Sequence, residues 1–396
     1  MDSAAVSRRA RRFVVAGVGF LLLWEVAALV GVPRATQAVL GVFGFVLHVV
    51  FGKAYALVPS YFDRPLAAAW PTAVQLPATA GGALALAWWT AGGPPVVGAV
   101  GGVLWAAGVA VFVGTLAWTV RDNPTGAETG TSEANARRRP VDRAANAVVP
   151  VALGYLLVGS YEACALAVGL PRLLSGGLAV AVHLLAVGMA TTTLLAVGVR
   201  LLPRFLVASP PRPLVGMILA SGAVAPALLV GDFYGTTVFR VGAVLEAVAV
   251  VGFAALYAVL FVRTDRDRVG FFGVLAGVAS GVGGVALGLH FALAGVAPEL
   301  VVAHLRLNVL GLLGLSIVGV AYQFYPPAVG AFPGCSDRTA LASIGLLAGG
   351  LWVETAGRLV AAPGVRTAGL VVGLGGAVLF AYLLAGVFRR QAARAG

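Results

Sequence analysis

The chain contains four histidines, and each lies within a long apolar stretch of the sequence: His48, His183, His290 and His304. A neutral imidazole is the commonest protein ligand for transition metals and a common axial ligand for haem. In a membrane it also serves as a hydrogen-bonding group between helices, and for any one histidine this structural role is the more frequent one. The four residues are therefore candidates for a metal or haem site, and their positions in the fold decide between the two roles.

The segments that carry these histidines are typical of membrane-spanning helices. Of the 396 residues, 60% are hydrophobic and 11% are charged, too few charges to cover the surface of a water-soluble protein of this length. Apolar stretches of about 20 residues, the length that crosses a bilayer as a helix, recur along the chain. We predict an all-α integral membrane protein with about 12 transmembrane helices. The predicted spans begin near Phe13, Thr36, Pro71, Val96, Asn146, Leu173, Leu214, Val238, Val269, Glu299, Thr339 and Thr367.

The basic residues indicate an orientation in the membrane and not a nucleic-acid partner. With 12 spans and the N-terminus inside, 20 arginines lie in inner segments and 6 in outer segments, and they form no binding stripe. The positive-inside rule then predicts a multi-pass protein of the cell membrane with both termini in the cytoplasm. The long hydrophilic segment 122–143 is predicted to be a flexible cytoplasmic loop. The expected surroundings are the lipid bilayer, and no nucleic acid is expected as a partner.

Two short motifs recur every fourth span and predict an internal repeat. Glycine and proline at helix ends are ordinary punctuation, but two motifs that recur in the same order favour three equivalent units. The first motif closes spans one, five and nine as Glu25 to Arg34, Glu162 to Arg172 and His290 to Glu299. The second closes spans two, six and ten and begins at Gly52, Gly198 and Gly319. The chain 1–396 is therefore predicted to be one membrane domain of three pseudo-symmetric four-helix units, 1–121, 144–263 and 269–390.

Alignment on the second motif relates one position in each unit. The residue fifteen places before the glycine is Gln37 in the first unit, His183 in the second and His304 in the third. We therefore expect these three side chains to occupy equivalent positions on spans two, six and ten and to face the protein interior.

Further ionisable groups interrupt the apolar spans. In the predicted topology they lie in the outer half of the membrane or at its outer edge, and His48 alone lies nearer the middle. The group consists of Glu25, Glu162, His183, Glu246, His290, His304, Glu354 and Arg358. This one-sided distribution predicts a polar cavity or cofactor pocket that opens outward. The alternative is that each group pairs with a neighbouring helix, as Glu354 and Arg358 can at their i,i+4 spacing.

Twelve helices in three four-helix arcs, with histidines in spans six and ten, resemble the haem-copper oxidase subunit I superfamily, including its shorter, non-oxidase NnrS-type relatives. The resemblance covers the whole chain as architecture. It implies that His304 is an axial ligand of a haem such as haem b, and that His183 is a copper ligand. It further implies His290 or His48 as the partner of His304, and Arg306 and Arg358 as contacts of the haem propionates.

The sequence also departs from the pattern of this superfamily. Gln37 stands where the span-two haem ligand is expected, position 187 is Val where many oxidases have Tyr, and span seven has no histidine. A complete copper site cannot be assembled from these residues. We therefore expect no competent terminal oxidase, and a chain that binds no cofactor is also consistent with the sequence.

Two alternatives belong to other functional classes. A 12-helix secondary transporter is one, because the string from Arg263 to Gly270 is similar to a loop signature of major-facilitator carriers. Such carriers consist of two six-helix halves, whereas the motifs here recur at about a third of the chain. A non-catalytic membrane subunit that scaffolds a larger complex is the other. The sequence has no phosphate loop, nucleophile elbow or dinucleotide fingerprint, so a soluble-type catalytic domain is not expected.

Overall fold

Proline and glycine set many of the helix boundaries in the structure. Pro71, Pro95 and Pro363 open three of the long helices, where the missing N–H is harmless because first-turn N–H groups have no helical partner. Gly169 follows the last residue of another helix with φ of 77°. This left-handed conformation is accessible to glycine at little cost and stops the helix.

The computed structural model describes residues 3–233, 236–330 and 332–393. Within these ranges the long elements are twelve helices, and no strand is present. In chain order they are α1 Ser3–Leu29, α2 Arg34–Tyr61, α3 Pro71–Thr90, α4 Pro95–Val120, α5 Arg139–Val168, α6 Leu178–Phe205, α7 Arg212–Gly231, α8 Thr237–Val262, α9 Val269–Ala294, α10 Pro298–Phe324, α11 Asp337–Leu359 and α12 Pro363–Ala393. Eleven of them are long and apolar enough to cross a membrane, and the remaining one, α3, carries Gln75 and Pro77. The predicted all-α membrane fold is confirmed.

The second helix of each predicted unit changes to π-helix near its middle. The π-helical segments are Val39–Val46 in α2, Leu184–Thr191 in α6 and Leu307–Leu315 in α10. They begin 13, 14 and 12 residues before the aligned glycines Gly52, Gly198 and Gly319. Because π-helix is rare and is frequent at functional sites, three such segments at one repeat position are unexpected in unrelated helices. They support the predicted alignment of the three units.

The contacts between helices follow the same period of four. The three π-helical segments touch one another at the centre of the bundle. Around them, the third and fourth helices of each unit pack together, and the fourth packs against the first helix of the next unit: α4 on α5, α8 on α9 and α12 on α1. The helices of the three predicted units therefore close into a ring. Superposition of 1–121, 144–263 and 269–390 by rotation about a membrane normal stays a prediction.

Two of the three aligned glycines allow the same close approach between helices. A Cβ on Gly52 would lie 2.7 Å from the main-chain oxygen of Ala10 in α1, and one on Gly319 would lie 2.5 Å from that of Gly270 in α9. Each glycine thus lets the second helix of a unit pack closely on the first. Gly198 differs, since its Cβ would meet the ring of Phe253 in α8.

The hydrophilic segment 122–143 makes defined contacts with the helices, although its flexibility stays a prediction. The amide of Asn123 donates to the carbonyl oxygens of Phe62 and Glu128, at 2.9 and 2.8 Å. Arg200 of α6 is 4% exposed, and its Nη2 donates to the carbonyl oxygen of Thr129 at 2.5 Å. We call the end of the bundle that holds this segment and the N-terminal end of α1 the terminal face, and the other end the opposite face.

Candidate functional site

A buried ion-pair network joins three helices in the half of the bundle near the opposite face. Arg306 of α10 is 1% exposed, and its Nη2 donates to both oxygens of Glu25 in α1, at 3.0 and 2.9 Å. Its Nε donates to Glu354 of α11 at 2.5 Å, and Arg358 binds the other oxygen of Glu354 at 2.9 Å. Two glutamates and two arginines thus neutralise one another.

This network holds the two arginines that the resemblance assigned to haem propionates, and Arg306 Nη1 has no hydrogen-bond partner within the described ranges. The two hydrogen-bonded nitrogens of Arg306 are taken by Glu25 and Glu354, and its guanidinium carbon lies 5.0 Å from the ring centre of Trp24. Arg358 is held by Glu354 at the i,i+4 spacing of one helix. The arrangement matches the alternative of helix pairing, and it favours a structural role for both arginines.

His48 lies fully buried in an aromatic cage. Its Nδ1 is 2.9 Å from the carbonyl oxygen of Phe43 and 2.7 Å from that of Gly44, so this nitrogen carries the proton and donates. Its Nε2 is 3.1 Å from the hydroxyl oxygen of Thr79. The ring stacks on Phe20 with 5.2 Å between centroids. Both nitrogens are therefore engaged, which favours a structural role over partnership with His304.

The structure brings together His183 and His304, which the aligned repeat predicted at equivalent positions. Their ring centroids are 6.4 Å apart and their planes differ by 19°. His183 immediately precedes the π-helical segment of α6, and His304 precedes that of α10 by three residues. Both side chains are half-buried in the protein and lie beside each other, one in the second predicted unit and one in the third. Neither is directed wholly into lipid.

Main-chain carbonyls fix the tautomer of both rings. His183 Nδ1 lies 2.8 Å from the carbonyl oxygen of Ala179, and His304 Nδ1 lies 2.9 Å from that of Gly284. A carbonyl can only accept, so His183 Nδ1 donates and the neutral ring presents a lone pair on Nε2. His304 Nδ1 also lies 3.3 Å from the amide nitrogen of Asn308, and the shorter contact with the Gly284 carbonyl favours the same tautomer for this ring. In the described ranges neither Nε2 has a hydrogen-bond partner. This is the second-shell arrangement that metal-bound histidines commonly show.

Small and aromatic residues position the two rings. A Cβ on Gly288 of α9 would lie 2.9 Å from His304 Cε1, so a side chain there would displace the imidazole. Phe291 lies 5.6 Å from His304 and Phe233 lies 4.8 Å from His183, between ring centroids. Sequence reasoning missed these positions. Gly288 lies two residues before His290, but nothing in its spacing indicates contact with a histidine sixteen residues later.

The remaining predicted residues do not join this pair. His290 is exposed, and Gln37 is 5% exposed with its amide donating to the carbonyl oxygen of Val32 at 3.0 Å. Glu162 accepts from the main-chain N–H of Leu173 at 2.7 Å, so it fixes the connection between α5 and α6. Glu246 of α8 is 9% exposed, and its Oε2 has no hydrogen-bond partner in the described ranges. Among the described residues, the ionisable groups thus include a histidine pair and a separate ion-pair network, and the outward-opening pocket stays a prediction.

The histidine pair offers two side-chain ligands. Across residues 3–233, 236–330 and 332–393, no three His, Cys, Asp or Glu side chains lie close enough to hold one metal ion together. Comparison of the chain with known protein families and with curated protein sequences gives no match. The chemistry of the site must therefore be argued from its geometry alone.

Proposed function

We propose that this chain is a membrane-embedded copper-binding protein in which His183 and His304 are the protein ligands. The observation that carries the proposal is that, within the described ranges, both Nε2 atoms lack a hydrogen-bond partner while both Nδ1 atoms contact main-chain carbonyls. Two imidazoles on opposite sides of one metal ion, each bonded at roughly 2.0–2.1 Å, would place their ring centroids about 6 Å apart. The centroid separation here is 6.4 Å, so the distance suits such an ion once both rings direct their Nε2 atoms towards it.

Copper is favoured over other metals by the number of ligands. Imidazole suits zinc, copper, iron and nickel, but structural zinc almost always takes four protein ligands and catalytic zinc three. Cuprous ion is stable with two nitrogen ligands in line. Bound copper would supply one-electron chemistry, while the chain itself contributes the orientation of the two rings and the apolar surroundings.

The haem interpretation fits these residues less well. Its expected partners for His304 were His48, whose two nitrogens are both engaged, and His290, which is exposed. Its expected propionate contacts are held in ion pairs with Glu25 and Glu354. The residues described here therefore favour copper over haem. The transporter alternative with two six-helix halves is not supported either, because the helix contacts repeat every four helices.

The test is the metal content of purified protein after exposure to cuprous ion and removal of the excess. We expect about one copper ion per chain, and loss of most of it in His183→Ala and in His304→Ala. His290→Ala is the matched control, because that histidine is exposed. Equal copper in the double variant His183→Ala/His304→Ala would contradict the proposal. A Soret absorption band that disappears in His304→Ala would replace it with the haem interpretation.

A further inference from the structure

The three central helices and their neighbours line an apolar cavity that holds the only lysine of the chain. The cavity has a volume of about 140 Å³ and lies in the half of the bundle near the terminal face. Its wall extends from Val46, Met189 and Leu313 in the π-helical segments to Tyr61 and Phe324 at the helix ends. Lys53 of α2 lies between these two levels, and every other basic residue of the chain is an arginine.

Lys53 is held by aromatic groups and not by a carboxylate. Its Nζ lies 4.0 Å from the ring centre of Phe324 and 4.3 Å from that of Tyr325, and it donates to the Tyr325 hydroxyl at 3.0 Å. No Asp or Glu within the described ranges lies at ion-pair distance from this amine. A basic group inside a membrane protein normally pairs with an acid or marks a substrate path. The cavity therefore contains one basic amine and, within the described ranges, no acidic side chain paired with it.

We propose that this cavity binds a small organic monocarboxylate, with its carboxylate on Lys53 Nζ and its apolar body among the aliphatic side chains. An apolar cavity of about 150 Å³ holds one benzene ring, so the apolar part of the ligand should be about that size. An acid that enters neutral transfers its proton to the amine, so the bound pair is ammonium and carboxylate. A charge-assisted hydrogen bond in such surroundings is stronger than one in water.

Polar contacts lie next to the cavity at the terminal face. Tyr61 is part of its wall, and the Arg200 guanidinium lies 3.9 Å from the centre of the Tyr61 ring. Arg200 also donates to Asn146 at 2.6 Å and pairs with the buried Asp142. The segment 122–143 is thus fastened beneath the cavity on the terminal face. This site is separate from the histidine pair. If the cavity binds no carboxylate, the copper proposal is unaffected.

The single lysine makes the test specific. Reductive methylation of the purified protein can modify only Lys53 and the N-terminal amine, and peptide mass spectrometry separates the two. We expect benzoate to slow methylation of Lys53 about tenfold at saturation, with no effect on the N-terminal amine. Benzyl alcohol, which has nearly the same shape and no charge, should protect much less. Equal protection by the two compounds, or none by benzoate, would overturn the proposal.

A binding measurement with variants provides the second arm. Lys53→Met keeps a long unbranched side chain, and we expect it to weaken benzoate binding at least about tenfold while benzyl alcohol binding is unchanged. Lys53→Arg keeps the charge and should retain benzoate binding in part. Unchanged benzoate affinity in Lys53→Met would refute the assigned contact. If Lys53→Met fails to fold, the methylation experiment on the unmodified protein still decides the question.

Discussion

The ion pair between Glu25 and Arg306 joins the first unit to the third, and its removal tests how the ring of units is held closed. Glu25 is 0% exposed, and among the described residues its ion-pair partner is Arg306, at 2.9 Å. Glu354 is bound by Arg358 as well as by Arg306. Removing one partner of a buried ion pair costs about 3–5 kcal/mol, because the other charge is left without compensation. We expect losses of this size for Arg306→Met and for Glu25→Gln.

The double variant gives the decisive comparison. Glu25→Gln together with Arg306→Met removes one charge of each sign and leaves Glu354 paired with Arg358. The network is then neutral again, so the double variant should lose much less than the two single losses added together. The expected coupling energy is about 3 kcal/mol, at the upper end of the range for residues in contact.

The assay is reversible unfolding of detergent-purified protein in a denaturing surfactant, followed by tryptophan fluorescence. The four proteins of the cycle are measured under one condition, so that differences in free energy of unfolding can be compared directly. Losses that simply add in the double variant would show that the two side chains do not interact, and the contact between α1 and α10 would have to be revised. Single losses below about 1 kcal/mol would show that water reaches the pair.

Two further predictions concern packing and the segment on the terminal face. A Cβ on Gly273 would lie 2.7 Å from Gly319 Cα, so Gly273→Ala should lower the free energy of unfolding by about 1–3 kcal/mol. Gly345→Ala is the control, because nothing lies within 4 Å of a Cβ at that position, and it should leave the free energy of unfolding unchanged or raise it. Equal effects of the two substitutions would contradict the close approach of α9 and α10. Arg200→Met should release 122–143, seen as faster amide hydrogen exchange and faster proteolysis in that segment alone, and unchanged rates would show that other contacts hold it.

The membrane fold could be predicted from the sequence because insertion into lipid depends on local properties. A stretch of about 20 apolar residues crosses the bilayer whatever its neighbours are. The predicted spans therefore match the observed helices, most starts lying within a few residues, as for Pro71 and Val269. The paired motifs were informative for a similar reason, since each repeat carries its own helix-ending signals, and the π-helical segments recur at the aligned positions.

The sequence could not predict which groups the ionisable side chains pair with. Glu25 and Arg306 are 281 residues apart, and their contact depends on the rotation of two helices about their own axes. Glu25, Glu162 and His290 end equivalent spans, yet one forms an ion pair, one accepts main-chain N–H groups and one is exposed. Repeat position gives depth in the membrane, but the neighbours of a side chain come from the adjoining unit.

The histidines also show which features follow from the sequence and which follow only from the tertiary structure. The repeat alignment placed His183 and His304 at one depth, and this much followed from sequence alone. Only the tertiary structure showed that they face each other, that His48 is enclosed by aromatic rings and that His290 is exposed. In an apolar environment every helix face is compatible with lipid, so hydrophobic periodicity does not show which face turns inward. Close packing against glycines such as Gly288 decides that rotation, and such contacts exist only once the helices have assembled.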